Sequence, residues 1–65
     1  MWTFDEDAQT WFYGTQLHGC GVYEESGRWH GNVSAYGMLH HFPDMQSKEQ
    51  AQEVCLEHLK SLEEQ

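Results

Sequence analysis

Two short stretches of this chain carry side chains at metal-ligand spacing. His18-Gly19-Cys20 puts an imidazole and a thiol on one face of an extended segment, and Cys55-Leu56-Glu57-His58 puts a second pair at i and i+3 of a helix. Together His18, Cys20, Cys55 and His58 make a Cys2His2 donor set of the kind that holds tetrahedral zinc. The order departs from a zinc finger, because the first pair reads His-x-Cys and the second Cys-x-x-His. Cys55 also falls on the face a helix needs for its core, where a free thiol packs as a small apolar group. No metal and no cofactor is therefore expected, with zinc binding kept as the lesser alternative. His40 and His41 point to opposite faces of a strand, which predicts one partly buried ring and one exposed ring.

Catalytic patterns are missing. The chain has no Gly-x-Ser-x-Gly elbow, no phosphate-cradling glycine loop and no His-Glu-x-x-His. His18 and Cys20 lack an orienting third group, and carboxylates at turn tips stay solvated. An enzyme is not expected.

The remaining chemistry-bearing groups are carboxylates. Eleven acidic residues stand against three basic ones in 65 residues, a net charge of −8. Nucleic acid is excluded as a direct ligand, since Arg28, Lys48 and Lys60 cannot supply the counterion release that drives its binding. The length fits one domain, residues 1–65, with little room for an enclosed site. No apolar run approaches the ~20 residues of a membrane helix, and no charged-then-apolar leader precedes the first strand. Both observations predict a soluble cytoplasmic protein with Cys20 and Cys55 as free thiols. Nine aromatic residues against five leucines, three valines and no isoleucine predict that rings supply much of the buried area.

The elements that must position the acids are legible from period and punctuation. Strands are predicted at Trp2–Phe4, Thr10–Thr15, Cys20–Glu24, Arg28–Tyr36 and Met38–Phe42. The fourth is the clearest, with Trp29, Gly31, Val33 and Ala35 alternating with Arg28, His30, Asn32 and Ser34. Ser47 is the predicted N-cap of a helix over 47–63, with Gln50 completing a capping box. Its apolar face is 51, 54, 55, 59 and 62, with His58 on the same side and Leu56 pointing away. The expected architecture is α+β: an antiparallel meander over residues 1–43 and a C-terminal helix on one face.

In such a meander alternate turns share an end. Asp5, Glu6, Asp7, Glu24, Glu25 and Asp44 are then gathered at one edge, opposed only by Arg28. Glu49, Glu53 and Glu57 repeat every four residues, about 6 Å apart along the helix. Carboxylates so spaced imitate the field of nucleic-acid phosphates and suit a basic groove.

In size, charge and layout the chain resembles small, acidic phage-encoded anti-CRISPR proteins of the DNA-mimic type. The resemblance rests on the −8 charge, the acids of Asp5–Asp7, Glu24-Glu25 and Glu49–Glu57, and the sheet-plus-helix plan. It implies a monomeric inhibitor in the cytoplasm of a bacterial host, bound to a CRISPR surveillance complex where target DNA is read, with those acids and Asp44 as contacts. The alternative is an accessory or structural domain that docks or dimerises through Leu56 and uncovered aromatics. The stretch Phe42–Leu62 is also similar to the end of a double-stranded-RNA-binding domain. Only Lys48 remains of the lysines expected at that helix start, so RNA binding is rejected.

Overall fold

The computed structural model describes residues 1–64. Strands β1 (Trp2–Asp5), β2 (Thr10–Gly14), β3 (Gly19–Glu25), β4 (Arg28–Ala35) and β5 (Met38–Met45) precede the helix α1 (Lys48–Glu63). The strands pair in chain order, each antiparallel to the next. The fold is the expected α+β meander with one C-terminal helix on one face.

Turn chemistry sets the register. Ser26-Gly27 and Tyr36-Gly37 each place two successive residues at positive φ, 54° and 77° in the first and 53° and 76° in the second. Positive φ at both central residues is the type I′ turn, whose twist matches that of the strands it joins. Two rows then cross the sheet on the helix side. One runs Trp2, Tyr13, Cys20, Val33 and His40, and the next Phe4, Trp11, Val22, Gly31 and Phe42. Among the described residues nothing covers the opposite face, which Thr3, Phe12, Gly21, Asn32 and His41 cross.

The core is small-featured. Val22, Val33 and Ala35 of the sheet meet Ala51, Cys55, Leu59 and Leu62 of the helix, with Cys20 and Met45 also buried. Among the described residues no aromatic ring is fully buried; Trp2, Trp11, Tyr13, Trp29 and Phe42 pack around the core as partly buried rings. Gly31 explains part of this. A Cβ there would overlap the Cys55 sulfur, so the helix rides too close to β4 to admit a ring between them. The helix backbone packs on β3, β4 and β5. A helix about 10 Å wide covers two or three strands spaced about 4.8 Å apart, so β1 and β2 extend past it.

Several boundaries differ from the sequence reading. β5 runs through Pro43 to Met45, so the sheet does not end at residue 43 and Asp44 lies within the strand. A bulge absorbs the extra residues: Trp29 pairs with Met45 and Gly31 with Phe42, and Asp44 takes φ 60°. Proline is tolerated because β5 is an edge strand. At the other hairpin β2 stops at Gly14 (φ 79°). Thr15 N donates to the His18 carbonyl (3.1 Å), and His18 N donates to Thr15 Oγ1 (3.0 Å). His18 is thus a loop residue.

The helix starts at its predicted cap, where Ser47 Oγ accepts from Gln50 N at 3.1 Å. Gln50 Oε1 accepts from Gln46 N (2.9 Å), one residue before the cap, which shifts the expected box. Leu56 is half-buried, not free in solvent. It shares a flank with Lys48, four-residue steps apart, and Lys48 reaches Trp11 of β2. No described helix is long and apolar enough to cross a membrane.

Candidate functional site

The β1–β2 and β3–β4 turns and the far end of β5 share one end of the sheet, as chain-order antiparallel pairing requires. That end carries Asp5, Glu6, Asp7, Glu24, Glu25 and Asp44, all exposed. Their roles are not equal. Asp5 Oδ1 accepts from Asp7 N (3.0 Å) and Ala8 N (3.3 Å), closing an Asx turn. Gln9, itself at φ 52°, donates from Nε2 to the Glu6 carbonyl at 2.7 Å. The Asp5 and Gln9 side chains thus hold the backbone of the tip, while Glu6 and Asp7 stay exposed on it. Glu24 pairs with Trp29 on the helix side and Glu25 with Arg28 on the open side, so the two acids face opposite ways.

Among the described residues two cations stand at this end, Arg28 and, over Trp11, Lys48; Arg28 is the one that fixes the strands. Its Nη2 donates to the Asp44 carbonyl at 2.8 Å, fastening the bulge of β5 to β4. Among the described residues, none of the six carboxylates has a basic nitrogen within 4 Å. What the arrangement can do chemically is accept hydrogen bonds and attract cations.

The helix stripe is exposed at Glu49, Glu53 and Glu57. Glu49 lies 3.8 Å from Lys48 Nζ, a solvent-exposed pair worth little. Lys48 Nζ also stands 4.6 Å from the centre of the Trp11 ring, a cation–π contact.

The four residues of the zinc alternative are not brought together. His18 Nε2 lies 3.0 Å from Glu63 Oε2, and its ring meets Tyr36 edge-on at 5.3 Å. His58 turns to β5, where its ring centre is 4.5 Å from His40 and 5.1 Å from Phe42. Among the described residues no three His, Cys, Asp or Glu side chains converge to hold a metal ion. Cys20 and Cys55 are free, buried thiols. Burial pushes Cys20 up to about 12, helped by the negative charges of Cys55 and Glu63, and pushes Cys55 up to about 11. Both therefore stay protonated at neutral pH, the wrong state for a nucleophile or a ligand. His40 is half-buried and His41 exposed, as strand alternation predicts.

Two features escaped the sequence reading. The first is a pair of aromatic contacts on the helix side of β1 and β2, beyond the helix. Trp2 and Tyr13 lie 5.4 Å apart and Phe4 and Trp11 5.0 Å apart, both tilted by about 50°. Period-2 alternation in Trp2-Thr3-Phe4 and Trp11-Phe12-Tyr13, set against the width of one helix, was the available signal. The second is a shallow trough of about 270 Å³ on the open face, lined by Thr10, Phe12, Gly21, Tyr23, Asn32, Ser34 and Leu39 among others. Its signal was weaker, since small residues such as Gly21 and Ser34 also read as ordinary strand positions.

No family model, curated protein or solved structure matches the chain.

Proposed function

We propose that this chain is a non-catalytic inhibitor that occupies a basic, nucleic-acid-binding surface of another protein. The CRISPR surveillance complex of a bacterial cell is the target class that the resemblance implies. The observation that carries the reading is the common end of the two acidic turns and β5, with carboxylates not paired to cations among the described residues. An arginine-lined groove that normally receives phosphates would meet Glu6, Asp7, Glu24 and Glu25 in their place. The Asx turn of Asp5 and the Arg28–Asp44 contact hold that end in shape before binding, so less side-chain entropy is lost on contact. The helix stripe of Glu49, Glu53 and Glu57 widens the same acidic field. Protonated, buried thiols and a His18 engaged by Glu63 agree with action by occupation alone.

Competition tests this reading directly. A purified surveillance complex is incubated with its target duplex and rising amounts of the protein, and bound DNA is read by gel shift. The expected result is displacement that weakens steeply with salt and is lost when Asp5, Glu6, Asp7, Glu24 and Glu25 become amides. Asp5→Asn retains the turn-closing oxygen, so this variant keeps its fold. Undiminished displacement by the amide variant overturns the reading.

A second reading, docking or dimerisation through apolar residues, is favoured by one observation. At the end opposite the acids Leu17 is 85% exposed and Leu39 70%. Binding of that kind withstands salt and fails with Leu39→Ser.

A further inference from the structure

The β1–β2 hairpin joins two features that each attract one kind of group. Its helix-side face carries the Trp2–Tyr13 and Phe4–Trp11 pairs, beyond the helix backbone, and Phe4 is 39% exposed. Its tip, starting two residues after Phe4, carries the exposed carboxylates of Glu6 and Asp7. Aromatic faces are electron-rich and attract cations, and carboxylates accept their N–H groups. The chain already shows the first half of this chemistry, because its own Lys48 ammonium sits 4.6 Å from the Trp11 ring centre.

We propose that this face is a guanidinium-stacking surface. An arginine of a basic partner protein lies over Phe4 and Trp11 while Glu6 and Asp7 accept its N–H groups. The inference rests on the reading of the chain as a ligand for basic surfaces, and names which basic residue it selects and where. Arginine suits it better than lysine, since guanidinium is planar, weakly hydrated and stacks on rings while still donating from its edge. Nucleic-acid bases could stack there too, but their phosphates would be repelled by the tip and by the −8 net charge. A purely apolar segment would leave Glu6 and Asp7 without partners at the margin of the contact.

Lys48 makes the inference testable in an uncommon direction, because it is an internal competitor for Trp11. Oligo-arginine and oligo-lysine peptides of equal length are titrated into the protein by calorimetry at matched salt. The expected result is about fivefold or tighter binding of the arginine peptide. Phe4→Leu, which keeps an apolar side chain, removes that preference and leaves lysine binding unchanged. Lys48→Gln tightens arginine binding by about threefold or more beyond Lys60→Gln, which makes the same change of charge away from the hairpin. Equal affinity for the two peptides overturns the stacking surface; if that equal binding is lost in the amide variant, charge recognition by the acidic end still stands. Loss of affinity in Lys48→Gln overturns it as well. Binding of neither peptide overturns this inference and the reading it rests on together.

Discussion

Replacing Gly31 by alanine should destabilise the protein sharply, and removing the Cys55 sulfur should relieve most of the damage. At an open strand position this substitution gains about 0.5–1 kcal/mol, because glycine loses more backbone freedom on folding than alanine. At Gly31 the added methyl would overlap Cys55 Sγ, whereas packed heavy atoms need about 3.5–4.0 Å. Cys55 is fully buried between Ala51 and Leu59, so its sulfur cannot turn into solvent and the helix must lift from β4. Overpacking of this kind costs about 1–3 kcal/mol, and we place Gly31→Ala near the upper end. A chain of this length has about 3–10 kcal/mol in all. Cys55→Ala alone leaves a small cavity and costs about 1 kcal/mol. In the double variant the new methyl fills the space the sulfur vacates, so the total loss should be about 1–2 kcal/mol, a coupling of about 2–3 kcal/mol. Urea unfolding followed by far-ultraviolet circular dichroism measures all three variants. Gly21→Ala on the open face serves as the contrast: its Cβ would sit 3.4 Å from the Phe12 ring, and the change should stay within about 0.5 kcal/mol. Losses that simply add, or a stabilising Gly31→Ala, would refute the close approach of helix and β4 as the organising contact of the core.

Alkaline pH should unfold the protein through its thiols. Folding raises Cys20 from 9.0 to about 12 and Cys55 from 9.0 to about 11, so their contribution is complete below pH 9 and is lost as pH rises towards 12. At a pH of about 10.5 that loss is about 2 kcal/mol for each thiol, seen as a falling urea midpoint that a Cys20→Ala, Cys55→Ala variant lacks. Glu53→Lys converts two repulsive i, i+4 contacts, with Glu49 and Glu57, into attractive ones. It should raise stability by about 0.5–1 kcal/mol in low salt and by less in high salt, read by thermal melts at both. Ser26→Asn puts the preferred residue at the first positive-φ site of the β3–β4 turn, φ 54°, and should add about 0.5 kcal/mol; an unchanged melting temperature counts against the type I′ assignment. Amides of β1 should exchange with deuterium well before those of β3 and β4, since β1 has one strand neighbour and no helix over it. Equal protection across the five strands would mean that the hairpin is held by something other than pairing and aromatic contact.

Much of the fold was legible because local signals and global packing agree in it. Alternation across Trp29–Ala35 announces a strand with one buried face, and burial alternates with it from His30 to Ala35. Gly27 and Gly37 marked the two tight turns, and Ser47 marked the helix start. The acidic end followed from topology alone, because an up-and-down meander has only two ends for its turns. What the sequence hid depends on three-dimensional fit. That Gly31 admits Cys55 cannot be read from alternation, which treats glycine as one more inward position. In sequence the bulge at Pro43 and Asp44 reads as a strand end because proline is usually one, and only the edge position of β5 makes the longer strand possible. Period alone makes Leu56 an exposed residue, since it leaves the 51, 54, 55, 59 and 62 face. A helix lying over β3 to β5 has a flank turned to β2, and Leu56 shares that flank with Lys48.

The positions of core and charge bear on each other. The buried contacts lie under β3, β4 and β5, where Val22, Val33 and Ala35 meet the helix. The hairpin β1–β2, outside that cover, carries three of the eleven acids and five of the nine aromatic rings. Like charges crowded at Asp5–Asp7 work against the compact state, and a small domain has only a few kcal/mol to set against them. Neutral turn residues would close the same hairpin without that repulsion, as Asn would at Asp5. Rings left half-exposed forfeit part of the burial they could contribute elsewhere. Two costs on one hairpin, each avoidable by substitution, are the local conflict on which the proposed partner surface rests, since natural sequences depart from local consistency chiefly at functional sites.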